Sequence, residues 1–99
     1  MTIDLALRVA LDGAWTVAPG VALRPEPFGA LAYHFGTRRL TFLKTPELAA
    51  VVRSLADHGD VRSALEAAGV APDRWNAYVR ALAALADAGM IVPRAGETS

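Results

Sequence analysis

The side chains that most often carry chemistry are few in this sequence and poorly spaced for it. There are two histidines, His34 and His58, and no cysteine; neither ring belongs to a converging set of ligands at metal spacing. His34 reads as a solvent-side strand residue, and His58 as a group near a helix end set to meet the last carbonyls. Nucleophilic catalysis needs a hydroxyl or thiol beside an oriented base, and the interior serines Ser54 and Ser63 fall in helical segments without one. No Gly-rich phosphate loop is present. The acids Asp57, Asp60, Asp73 and Asp87 sit near helix ends, where caps and solvated termini place them. No enzyme activity, cofactor or metal is therefore expected. One charged cluster remains, Arg38-Arg39 with Lys44. It suits either the capture of an acidic segment or a charged edge that resists unwanted pairing.

The totals bound what could position such residues. Ninety-nine residues supply one hydrophobic core, and although 54% of them are apolar, much of the excess is alanine, so the core is thin. Ten basic residues balance ten acidic ones, which gives no pull toward nucleic acid or an anionic membrane. The absence of cysteine suits a reducing cytosol. The apolar run from Ile3 to Leu11 is interrupted by Asp4 and Arg8, and no uncharged stretch approaches the roughly 18 residues of a membrane span. A cytoplasmic, soluble protein is expected.

Across Met1 to Gly20 no period is sustained, and Asp12-Gly13 and Pro19-Gly20 are turn signals. Val21 to Pro25 is a short strand candidate, and Pro25-Glu26-Pro27 suits an irregular link. Phe28 to Lys44 reads as a β-hairpin about a two-residue Gly36-Thr37 turn. That register sets Tyr33 opposite Leu40 and Leu31 opposite Phe42, gathering the bulky residues on one face; Ala30, Ala32, His34, Arg39 and Thr41 share the other, with Leu43 the bulky exception. The apolar face is expected to be covered by helices.

Helix signals follow. Thr45 can cap and Pro46 can open a helix with Leu48, Val51, Val52 and Leu55 inward and Gly59 at its end. Asp60 can cap a second, closed by Gly69. A third should begin near Pro72 or Asp73 and run to Ala88, with Trp75, Tyr78, Val79, Leu82, Leu85 and Ala86 on one face and Gly89 as the stop. Met90 to Pro93 returns as a short strand or tail. The expected fold is α+β: a three-stranded antiparallel sheet followed by a three-helix bundle, winged-helix-like. Residues 1–20 form an arm, 21–93 the domain and 94–99 a fraying tail.

The segments Ala22-Leu23-Arg24-Pro25-Glu26-Pro27-Phe28-Gly29-Ala30-Leu31, Tyr33-His34-Phe35-Gly36-Thr37-Arg38-Arg39-Leu40 and Phe42-Leu43-Lys44 resemble those of the mycofactocin-system peptide chaperones, the MftB family. That family is similar to the pyrroloquinoline quinone chaperone and to the RiPP recognition elements, which serve ribosomally made, later modified peptides. The resemblance covers about Val21 to Pro93 and is specific in the hairpin but not in the alanine-rich helices. It implies three antiparallel strands and three helices. It also implies that the leader of a precursor peptide lies along the third strand, Arg39 to Lys44, in a groove walled by the third helix. The implied partners are the mycofactocin precursor and the radical S-adenosylmethionine enzyme that modifies its C-terminal Val-Tyr pair.

Strand addition explains how such a surface could work, since an edge supplies backbone bonds and flanking pockets supply discrimination. The residues expected at the peptide are Arg39, Leu40, Thr41, Phe42, Leu43 and Lys44 on the strand, with Arg74, Trp75, Tyr78, Val79, Arg80 and Leu82 on the helix. Of these, Phe42, Trp75 and Leu82 suit the core better than the contact, and Arg39, Lys44, Arg74 and Arg80 suit acidic leader residues. Proline at Thr41 is expected to abolish peptide binding, because it removes an edge donor or distorts the strand. The rival readings are a winged-helix DNA-binding regulator, weakened by the zero net charge, and a dimerisation module in which the edge pairs with itself. The oligomeric state is open.

Overall fold

A strand whose side chains alternate between large and small must choose which face to bury, and this sheet buries the small one. The structure, a computed structural model, describes residues 11–94. Strands β1 (Trp15–Val17), β2 (Val21–Glu26), β3 (Gly29–His34) and β4 (Arg39–Leu43) precede helices α1 (Pro46–Ser54), α2 (Val61–Ala67) and α3 (Trp75–Asp87), which are followed by β5 (Ile91–Pro93). The fold is α+β, with a three-stranded antiparallel sheet in the order β2-β3-β4 followed by three helices. β5 pairs with β1 in a separate antiparallel ribbon. β1 is too short to show a period, yet it sets Trp15 into the core at 5% exposure.

The hairpin register is the expected one, with Leu31 opposite Phe42 and Tyr33 opposite Leu40. Its turn differs. His34 pairs with Arg39, so Phe35 to Arg38 make a four-residue loop, and Arg38 rather than Gly36 takes the left-handed conformation at φ 63°. The His34 ring holds this loop: its Nδ1 accepts the Gly36 N–H at 3.0 Å and the Thr37 N–H at 3.2 Å. Because both loops are centred on the same pair sum, a different turn leaves the facing residues unchanged. The Pro25-Glu26-Pro27 stretch is likewise no irregular link. Pro25 pairs with Ala30 and Glu26 with Gly29, so Pro27 and Phe28 alone turn the chain from β2 into β3.

The expectation that helices cover the bulky face is overturned. Ala30 (0% exposed), Ala32 (1%) and Leu43 (1%) face the helices, whereas Leu40 and Phe42 stand 57% exposed on the opposite side. The small side chains let α1, with Ala49, Val51 and Val52 buried, approach the sheet closely; the volume is filled by Leu43, Leu55, Leu65, Leu82, Met90 and Ile91. The sheet thus contributes a flat wall and the helices the bulk.

The helix ends follow the capping residues. Thr45 Oγ1 accepts the Leu48 N–H at 3.0 Å ahead of α1, and Asp60 Oδ1 accepts the Ser63 N–H at 2.8 Å ahead of α2. α1 stops before Gly59, at Ser54, and a 3-10 turn over Leu55–Asp57 follows that keeps Leu55 in the core. The Ser63 backbone N–H, and next its hydroxyl, hold the Asp60 carboxyl below its ordinary value, with Arg62 and His58 assisting and desolvation opposing. A depressed folded-state pKa adds stability that is complete above the unfolded value and lost as pH falls through the folded one. The stability difference between wild type and Asp60→Asn should therefore shrink as urea titrations move from pH 7 to below the carboxylate range. A difference independent of pH would show that the charge is not what the cap uses.

Candidate functional site

Backbone groups left unpaired at a sheet edge are the first requirement for adding a strand, and their direction here can be worked out. In an antiparallel ladder successive residues aim their N–H and C=O alternately to the two neighbours. The Phe35 N–H donates to the Gly20 carbonyl at 2.9 Å, toward β2, and the His34 carbonyl accepts from Arg38 at 2.7 Å, on the β4 side. Hence His34, Ala32 and Ala30 bond β4 through Arg39, Thr41 and Leu43. The residues between them, Leu40 and Phe42, direct both backbone groups away from the sheet. Among the described residues β4 is an edge strand, so those groups lie on the side that no described strand occupies. Thr41, expected to be an edge donor, belongs to the internal ladder instead.

The opposite edge is less suited to the same use. By the same alternation Val21, Leu23 and Pro25 face outward on β2, but the Val21 N–H already bonds Ala18 and Pro25 has none to give. The sheet therefore has one blunted edge and one receptive edge.

Beside the receptive edge runs a groove of about 440 Å³. Thr41, Phe42, Leu43 and Lys44 form its strand wall, Leu48 of α1 adds to it, and Ala81, Ala84 and Leu85 of α3 form the far wall. Alanines at one-turn spacing keep that helix face low, which leaves room for another chain's side chains. Of the expected helix residues, Leu82 is fully buried in the core, Tyr78 is buried, and Trp75 is half-buried, its indole Nε1–H donating to the Val70 carbonyl at 2.9 Å. The Tyr78 hydroxyl has no hydrogen-bond partner among the described residues, and the Arg74 guanidinium lies 5.6 Å from its ring centre. Val79 is half-buried and Arg74 exposed, and neither lines the groove. Arg80, exposed, lies one turn before Ala84, so it stands next to the groove's rim. Arg39 and Leu40 are exposed at the hairpin end of β4.

The groove residues that the sequence did not single out, Leu48, Ala81, Ala84 and Leu85, carry one usable signal. A run Ala81-Leu82-Ala83-Ala84-Leu85 has small residues where an amphipathic helix has polar ones. Among the described residues no group of three His, Cys, Asp or Glu could hold a metal ion, and no helix is long and apolar enough to cross a membrane. What the arrangement offers is backbone with no strand partner among the described residues along one side, apolar walls below, Lys44 in the lining and Arg80 near the rim.

The model of the peptide chaperone MftB family matches residues 14–92. The chain belongs to that family. The matched stretch takes in every element that builds the edge and the groove. The chain is 58% identical over 83 residues to a peptide chaperone MftB of Mycobacterium ulcerans, covering 84% of this chain and 76% of that one. It is 56% identical over 95 residues to the peptide chaperone MftB of Mycolicibacterium smegmatis, covering 94% of this chain and 93% of that one. To the protein of the same name from Mycobacterium tuberculosis it is 54% identical over 83 residues, or 84% of this chain and 76% of that one. No solved structure matches the chain.

Proposed function

We propose that this protein is a non-catalytic peptide chaperone of mycofactocin biosynthesis. It captures the leader of the ribosomal precursor as a strand added to β4 and presents it to the radical S-adenosylmethionine maturation enzyme. The observation that carries this reading is the juxtaposition of a receptive edge with an apolar groove at its side. Membership in a family of peptide chaperones supports it.

Magnitudes show why both parts are needed. The N–H and C=O of Leu40 and Phe42 offer four bonds, at about 0.5–1.5 kcal/mol net each, before the cost of ordering a flexible peptide. Micromolar binding needs about 8 kcal/mol. One or two peptide Leu or Phe side chains buried in the groove, at about 1.5–3 kcal/mol apiece, make up the difference. An added strand's residues alternate, so those opposite Thr41 and Leu43 enter the groove and those opposite Leu40 and Phe42 lie on the outer face. A DNA-binding role has no such support, because Asp73 and Asp87 offset Arg74 and Arg80 along the third helix and the 3-10 turn, Pro72–Arg74, that leads into it.

Calorimetric titration with the synthetic precursor tests the reading, and Ala84→Trp tests the groove. Ala84 is exposed on the groove's far wall, so an indole there should fill the space without disturbing the core. Affinity should fall at least about tenfold, or about 1.4 kcal/mol, with the melting temperature unchanged. Undiminished affinity in the folded variant would place the peptide elsewhere.

A further inference from the structure

The large apolar residues most exposed among those described are Phe28, Phe35, Leu40 and Phe42, at 41%, 63%, 57% and 57%. All four lie on the sheet's outer face or in its two turns. Leu31 and Tyr33 stand between them, and Ala22, Arg24, Leu31, Tyr33, Phe35 and Leu40 line a shallow depression of about 460 Å³. Half-exposed side chains of this size sum to roughly 400 Å² of contiguous apolar surface, the extent at which a surface marks an interaction site. The rings are already arranged: Phe28 meets Phe42 edge-on at 5.8 Å between centroids, and Tyr33 meets Phe35 at 4.9 Å. Pre-ordered aromatics lose little freedom on binding, which is how interface anchors behave.

Charge tells what covers this face. Around this face and its turns stand the cations Arg24 and Arg38 against the single anion Glu26, although the whole chain is neutral. Arg24 stands in the depression itself and pairs with Glu26 at 3.6 Å, its side chain 77% exposed. A second copy of this chain would bring like charge against like charge.

We infer that the outer face of the sheet is a docking surface for a folded protein whose own face is apolar and ringed by carboxylates. Resting on the function proposed above, that protein is the maturation enzyme. The geometry gives presentation a physical form. A leader on β4 turns every second side chain onto this same outer face, so the enzyme meets chaperone and peptide as one continuous surface, while the groove side stays closed against α3.

Phe35→Asp and Arg24→Glu test this, because neither residue lines the groove. Each variant is titrated separately with the synthetic precursor and with the purified radical S-adenosylmethionine enzyme, and its fold is checked by thermal melting. The expected result is an affinity for the enzyme at least tenfold weaker, precursor affinity within twofold of wild type, and wild-type enzyme affinity that declines as salt rises. Unchanged enzyme affinity in both folded variants overturns the inference, as does the lack of any complex between the wild-type chain and the enzyme. A wild-type dimer that either substitution converts to monomer overturns it too, by giving the face to a second copy. A wild-type chain that binds the enzyme but not the precursor would sink the chaperone reading and leave the surface standing.

Discussion

Phe42→Pro should cost the protein its peptide while Phe42→Ala should not, although both lose the same phenyl ring. The Phe42 N–H points off the open side of β4, so proline there removes a donor that no internal ladder bond uses and sets its ring against the incoming chain. A peptide carbonyl buried without its partner costs about 1–3 kcal/mol, a loss of affinity between about fivefold and about 150-fold by calorimetry. Phe42→Ala keeps the amide and should lose less than the proline variant. Both variants should melt near wild type, since Phe42 is exposed and its ring touches only the exposed Phe28 among aromatics. Thr41→Pro is the contrasting control. Its amide bonds β3, so the sheet itself should be destabilised, and lost binding there would report a damaged fold. Equal affinities for Phe42→Pro and Phe42→Ala would mean that the peptide does not pair with this edge.

Gly29→Ala should have the largest effect on stability. Gly29 opens β3 at φ 156°, and an added Cβ would lie against the carbonyl oxygen of Leu43 and 2.7 Å from that of Thr45. Both neighbours are backbone, one ending β4 and the other capping α1, so neither can swing aside. Overpacking of this kind costs about 3 kcal/mol, against a total of about 5–15 kcal/mol for a domain of this length. Urea denaturation should show the loss as a lower midpoint with an unchanged slope. Because the same contact joins β3, the end of β4 and the start of α1, the groove should loosen with it. A midpoint shift worth less than about 0.5 kcal/mol would show that the three segments are not so closely packed.

Much of this was legible from residue types. Thr45-Pro46 and Asp60 state where helices begin because a side-chain oxygen must meet the orphan amides, a local requirement independent of the rest of the fold. The pairing of Leu31 with Phe42 and Tyr33 with Leu40 survived a misjudged turn, because loops of two and of four residues about the same centre give one register. The groove was less legible. Trp75, Tyr78 and Leu82 are the large residues of the third helix that suggest contact, but large residues near a core are buried by it, and the groove's far wall is made of Ala81, Ala84 and Leu85. Smallness gives no hydrophobic signal, and its use appears only when a second element stands opposite.

By itself the sequence determined the order of the three sheet strands and the three helices, the caps that begin α1 and α2, and the side chains that share each face of the sheet, since all of these follow from periods and local backbone bonding. Only the tertiary structure decided which face turns inward. Alternation says that two faces differ without saying which has a partner, and here close approach of α1 to an alanine wall prevailed over burial of the bulkier side. From that choice came both the exposed aromatic face and the open edge of β4 beside α3, neither of which any stretch of neighbouring residues could specify.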